Sequence, residues 1–162
     1  MNPKIRAWRG RRVWLVGASA GIGAALAHAL AQRGARLALS ARGIEQLQAL
    51  QIDGALLLPC DSTDAASLAA ARQALIEAWG GVDLVVYLAG DYVPMRADSL
   101  DLATIERVVE VNFNGALRLV ATALAIVCEG VDHAECVVRG PGLRVELDRP
   151  FERRARFRQT LD

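Results

Sequence analysis

Gly17-Ala18-Ser19-Ala20-Gly21-Ile22-Gly23 is the stretch of this chain best suited to meet a ligand. The spacing Gly17-x-x-x-Gly21-x-Gly23 follows a short apolar run, Val13 to Val16, and opens an alanine-rich segment. Such a turn suits a pyrophosphate for two reasons. Missing β-carbons let a ligand reach the backbone, and a helix N-terminus presents unpaired N–H groups at the positive end of its dipole. Ser19 adds a hydroxyl that can donate to a phosphate oxygen. The plainer alternative is a tight turn whose glycines only let a helix pack closely on a strand.

A second candidate lies at Leu39-Ser40-Ala41-Arg42. In folds that bind dinucleotides, a carboxylate near this point hydrogen-bonds the ribose 2′-hydroxyl and selects NAD. No acid is present here, and Arg42 can grip a 2′-phosphate through a forked, charge-assisted contact. NADP(H) is therefore expected over NAD(H), against the alternative of an ordinary solvated arginine after a strand. Tyr92-x-x-x-Arg96 imitates a catalytic dyad, but Pro94 forbids the helical turn that would stack its two ends. His28 and His133 form no constellation, and Cys60, Cys128 and Cys136 lack the spacing of a metal site or a disulfide framework.

Alternating periodicities supply the elements that must position these groups. Val13–Val16, Arg36–Ser40, Ala55–Leu58 and Val82–Leu88 read as strands, the first an apolar run typical of a buried parallel strand. Between them, Gly21–Arg33, Ile44–Gln51 and Asp64–Trp79 read as helices, the last with Ser62 or Thr63 as N-cap. A long helix is expected over about 101–127. Strand and helix alternating through short connections predict an α/β fold: a partial doubly wound parallel sheet of Rossmann type, strand order 3-2-1-4, with helices on both faces. Ligands then bind at the switch point between the first and fourth strands, where the glycine turn lies.

With those elements in place, the chain resembles the short-chain dehydrogenase/reductase family over roughly residues 10–128. Val16-Gly17-Ala18-Ser19-Ala20-Gly21-Ile22-Gly23 resembles its Thr-Gly-x-x-x-Gly-x-Gly fingerprint, with Val16 for Thr. Cys60-Asp61, next to Ser62, resembles the site of the Asp that contacts adenine. Tyr87-Leu88-Ala89-Gly90 resembles Asn-Asn-Ala-Gly, and Val111-Asn112 resembles the Val-Asn of the long helix. The resemblance implies cofactor-binding roles for Gly17, Ser19, Ala20, Gly21, Ile22, Gly23, Arg42, Asp61, Ser62, Ala89 and Gly90. It gives Asn112 a helix kink and a water relay leading to a catalytic lysine. The long helix resembles one that pairs subunits in the family, but its usual companion helix is absent, so a homo-oligomer through residues 101–127 and a monomer both stay open.

The family's chemistry uses Ser, Tyr and Lys, the last two as Tyr-x-x-x-Lys, in which the lysine lowers the phenol's pKa for proton exchange with substrate. The only lysine here is Lys4, and no tyrosine follows Tyr92. The pair is absent from this chain.

Composition bounds the remaining classes. At 162 residues and 53% hydrophobic content the chain has room for a real core, and a net charge of +1 offers no footprint for nucleic acid or an anionic membrane. No leader peptide and no uninterrupted apolar run of membrane-spanning length stand out, so a cytoplasmic protein with reduced thiols is expected. Residues 1–128 form the dinucleotide-binding region, and 129–162 an atypical arginine-rich tail. In the tail, 135–138 and 143–147 read as short strands around Gly140-Pro141-Gly142, the first expected beside the fourth strand, and 151–161 as a basic helix or a loose end. Two functional readings follow. One is an NADP(H)-dependent oxidoreductase that interconverts an alcohol and a carbonyl. The other is a non-enzymatic cofactor-binding or interaction protein, or a truncated fragment produced by a frameshift and inactive as written.

Overall fold

The computed structural model describes residues 7–129 and the backbone of strands at 136–140, 143–147 and 157–158. Its elements run β1 Arg12–Val16, α1 Gly21–Gln32, β2 Arg36–Ser40, α2 Ile44–Gln48, β3 Leu56–Leu57, α3 Ala65–Trp79 and β4 Leu84–Tyr87. A long helix follows in three parts: α4 Leu102–Val109, a π-helical turn Glu110–Asn114, and α5 Gly115–Glu129. The main sheet is parallel, in the expected order β3-β2-β1-β4.

The period-2 alternation of a strand divides the core into two layers. Val13 and Leu15 of β1, with Leu37 and Leu39 of β2, face Ala27, Leu30 and Leu47 of the first two helices. Trp14 and Val16, with Ala38, face the other way onto Leu68 and Leu75 of α3 and Leu119 and Ile126 of α5. Helices thus cover both faces because consecutive β1 residues are all apolar. Trp14 is fully buried, and its indole N–H donates to Ser40 Oγ at 2.9 Å, which removes the cost of hiding that donor.

At the opposite end from the glycine turn, β1 and β4 are fastened by charge. Asp83 accepts from the Arg12 backbone N–H and Nη2, each at 2.8 Å, while Arg12 Nη1 donates to Trp79 O at 3.0 Å. The Arg12 guanidinium, chiefly by hydrogen bonding, holds the Asp83 carboxyl below the usual carboxylate range.

Several elements differ from the expectation. Asp64, not Ser62 or Thr63, caps α3, accepting from Ala66 N at 2.9 Å. The second helix stops at Gln48, β3 keeps only Leu56–Leu57, and β4 keeps Leu84–Tyr87. Cys136–Gly140 does pair with Leu143–Leu147, but as an antiparallel hairpin in a separate sheet with Phe157–Arg158. It does not dock beside β4, whose only partner among the described residues is β1. An antiparallel partner a few residues away closes a much shorter loop than β4 would require. Pro141 and Gly142, and most of 151–161, lie outside the described residues.

Candidate functional site

The chain leaves β1 at Gly17, whose φ of +92° suits glycine. The N–H groups of Gly17 and Ala18 donate to Ser40 O at 2.8 and 3.0 Å, which ties the turn to the end of β2. A β-carbon on Gly17 would lie 2.2 Å from Ala89 N, and one on Gly23 would lie 2.1 Å from Gly17 O. These glycines are contact points, one for the loop after β4 and one for α1. Gly21 is different: its φ is +54°, and an added β-carbon would meet nothing within 4 Å. The packing and ligand readings of the glycine pattern therefore both hold, at different glycines.

Gly21 also begins α1, whose N-cap residue, Ala20, makes no side-chain cap. By contrast, α3 and α4 are capped by the carboxylates of Asp64 and Asp101. The first turn of α1 thus keeps N–H groups without a side-chain acceptor, at the positive end of the helix dipole. Ile22 is 80% exposed there, Ala20 is exposed and Ser19 is half-buried.

Arg42 is exposed two residues past β2. Asp61 is half-buried on the neighbouring loop, and its Oδ1 accepts from Thr63 N at 2.9 Å and Thr63 Oγ1 at 2.8 Å. Those bonds, aided by the Arg42 charge, hold its carboxyl below the usual range. Ser62 is buried, and its hydroxyl meets Tyr87 OH at 3.0 Å rather than the cleft.

Ala89 and Gly90 follow β4 beside the glycine turn. Asn112, in the middle of the π-helical turn, reaches back to this loop: its Oδ1 accepts from Asp91 N at 2.7 Å and its Nδ2 donates to Asp91 O at 2.8 Å. The structure therefore brings the glycine turn, Arg42, Asp61, Ala89, Gly90 and Asn112 to the carboxyl ends of the strands. Extra-long helical turns of this kind concentrate at functional sites. Among the described residues no cluster of His, Cys, Asp and Glu can hold a metal.

Sequence reasoning missed Tyr87. Its hydroxyl donates to Val111 O at 2.5 Å, inside the π-helical turn, and occupies space that a β-carbon on Gly115 would fill. The available signal was a tyrosine standing where the resembled motif has asparagine. On the outer side of β4, Val85, Tyr87, Leu119, Val120, Ala123 and Leu124 line an apolar groove of about 450 Å³, away from the glycine turn. Val109, Phe113, Leu117 and Val120 form an exposed apolar stripe on the long helix. By length and composition alone, Leu102–Ile126 is apolar enough to cross a membrane, with 17% of its most apolar window buried. The exposed apolar residues of this helix follow one stripe at helical spacing.

A parallel doubly wound sheet with a glycine turn and an uncapped helix at its switch point is the architecture of the Rossmann-type α/β proteins. The family model for short chain dehydrogenases matches residues 11–132, and the chain belongs to that family. It is 32% identical over 136 residues to human dehydrogenase/reductase SDR family member 7, covering 72% of this chain and 40% of that protein. It is 37% identical over 117 residues to D-threitol dehydrogenase of Mycolicibacterium smegmatis, covering 68% of this chain and 45% of that enzyme. The chain thus spans less than half the length of these curated relatives. A short-chain type dehydrogenase/reductase from Mycobacterium marinum superposes with a TM-score of 0.71 at 28% identity, over 74% of this chain and 51% of that one. An NADH-dependent reductase complexed with NAD (TM-score 0.64, 25% identity) covers 74% of this chain and 52% of its own. An actinorhodin polyketide ketoreductase variant with NADPH (0.65, 30%) covers 70% and 46%.

Proposed function

We propose that this chain binds a nicotinamide dinucleotide, NADP(H) in preference to NAD(H), and does not itself catalyse hydride transfer. The observation that carries the binding is the uncapped N-terminus of α1 over the open space at Gly21. Backbone N–H groups of the turn and of the first turn of α1, with the Ser19 hydroxyl, would hold the pyrophosphate. Asp61, with both of its Thr63 contacts on Oδ1, keeps an acceptor for the adenine amino group. Arg42, exposed past the end of β2, would pair with a 2′-phosphate. Ala89 and Gly90 would line the cleft opposite the glycine turn. When bound, the cofactor supplies a hydride donor or acceptor.

The residues that would use that hydride are missing. The family's catalytic phenol is paired with a lysine as Tyr-x-x-x-Lys, and this chain has one lysine, Lys4, and no tyrosine after Tyr92. Asn112 has its side-chain amide committed at both ends to Asp91, so its contribution is to shape the loop after β4. The frameshift origin accords with this reading, and a Tyr-x-x-x-Lys segment in another frame beyond codon 128 of the coding DNA would support it. The apolar stripe on the long helix supports association with a second copy through that helix.

Thermal unfolding with and without cofactor tests the binding. NADPH at a hundred times its Kd stabilises by about 2.7 kcal/mol, a shift of several degrees, and NADH at equal concentration shifts less. Equal shifts remove the Arg42 argument, and no shift with either removes the binding. Across a panel of carbonyl substrates the purified chain is expected to oxidise no NADPH; clear turnover would restore the enzymatic reading.

A further inference from the structure

From the Tyr87 contacts we infer that this tyrosine is a positioning residue that clips the π-helical turn and links the two ends of the proposed cofactor cleft. A phenol hydroxyl has one hydrogen. Tyr87 donates it to Val111 O at 2.5 Å, so the contact at 3.0 Å from Ser62 must be donated by the serine. A directed chain results, from Ser62 Oγ–H to Tyr87 O–H to the Val111 carbonyl. The Ser62 end is buried and follows Asp61 in the sequence. The Val111 end precedes Asn112, whose amide grips both main-chain polar groups of Asp91, beside Ala89 and Gly90.

The slot for the phenol is built by a second residue. A β-carbon on Gly115 would sit 2.4 Å from Tyr87 OH and 3.0 Å from Ser62 Oγ. Gly115 is buried at the end of the π-helical turn, where any larger residue would displace the bridge. Apart from Asn112, Arg107 also reaches the loop, through an ion pair to Asp91 at 3.4 Å that is largely exposed and therefore weak. Removing the Tyr87 hydroxyl leaves the Val111 carbonyl and the Ser62 hydroxyl without this partner, frees the turn, and loosens the grip of Asn112 on Asp91.

Tyr87→Phe in the full chain tests this by amide hydrogen exchange. Without ligand, exchange at the Asp91 N–H is expected to rise about tenfold, the scale of one lost buried hydrogen bond. Amides of β1 and β2 keep their protection, which separates a local release from general destabilisation. Unchanged exchange at Asp91, or an equal rise throughout the sheet, overturns the clip. The link rests on the proposed dinucleotide site and is read with adenosine 2′,5′-bisphosphate, which reaches the adenine end only. In the wild type this compound slows exchange at Asp91; in Tyr87→Phe and in Ser62→Ala it does not. Equal slowing in all three overturns the link. If the wild type fails to bind the bisphosphate, the link falls together with the dinucleotide reading, and the ligand-free exchange still decides the clip.

Discussion

Replacing Gly17 and Gly21 by alanine, one at a time, separates the glycine that holds the fold from the glycine that faces the ligand. At Gly17 the new methyl would stand 2.2 Å from Ala89 N and 2.6 Å from Leu88 C, atoms of a backbone that cannot rotate away. A non-glycine residue at positive φ costs ~1–2 kcal/mol, and forcing atoms into a filled site adds ~1–3 kcal/mol. Together these give about 2–5 kcal/mol, a large share of the roughly 5–15 kcal/mol that stabilises a typical domain. At a few degrees per kcal/mol, the melting temperature of Gly17→Ala should fall by about 10 °C, if the variant folds at all. Gly21→Ala meets no atom, so it carries only the cost of positive φ, part of which is offset by the stiffer unfolded chain. Its loss should stay near ~1 kcal/mol, a shift of roughly 2–4 °C. Its methyl nevertheless occupies the space assigned to the pyrophosphate, so the stabilisation by NADPH should disappear. Calorimetry of both variants with and without NADPH provides the measurement. A Gly17→Ala protein melting within 2 °C of wild type, or a Gly21→Ala protein with an undiminished NADPH shift, would refute the reasoning.

Two further outcomes follow from charge. Arg42→Glu should weaken NADPH binding by roughly ten- to a hundredfold, the scale of a lost charge-assisted hydrogen bond, while NADH binding falls less or improves; titration calorimetry with each cofactor compares them. Asp83 has its carboxyl held low by Arg12 in the folded state, so it binds its proton more weakly there than when unfolded. The stability it contributes is present above the unfolded pKa and is lost as pH falls through the folded one. Urea unfolding should therefore show Asp83→Asn about 1 kcal/mol less stable than wild type at pH 7, with the gap closing as pH falls below the ordinary carboxylate value of about 3.9. A gap that widens with acid would mean that the Arg12 pair is not the source.

Much of the scaffold could be read along the chain, because its signals are local. Apolar runs of strand length, alternating with alanine-rich helical segments, specify a parallel sheet with two covered faces, and the short connections leave few strand orders. The N-cap of α3 was not readable at single-residue precision: Ser62, Thr63 and Asp64 are all good caps, and Ser62 is taken by Tyr87. The placement of Cys136–Gly140 was misjudged because an exposed sheet edge says nothing about a competing partner close by in the chain. Tyr87 stands where the resembled motif has asparagine, and only the fold brings its hydroxyl onto the Val111 carbonyl.

The sequence by itself determined the family, the glycine turn that opens α1, and the lack of a Tyr-x-x-x-Lys pair. These depend only on residue types and their spacing, which no folding can alter. Tertiary structure alone decided that Gly17 and Gly23 serve contact and Gly21 faces open space. It alone decided that the Asn112 amide is spent on Asp91 and that Tyr87 joins Ser62 to the π-helical turn. The contacts of Gly17 with Ala89, Asn112 with Asp91 and Tyr87 with Ser62 and Val111 join residues far apart in the chain, where three-dimensional packing, not local preference, sets which atoms touch.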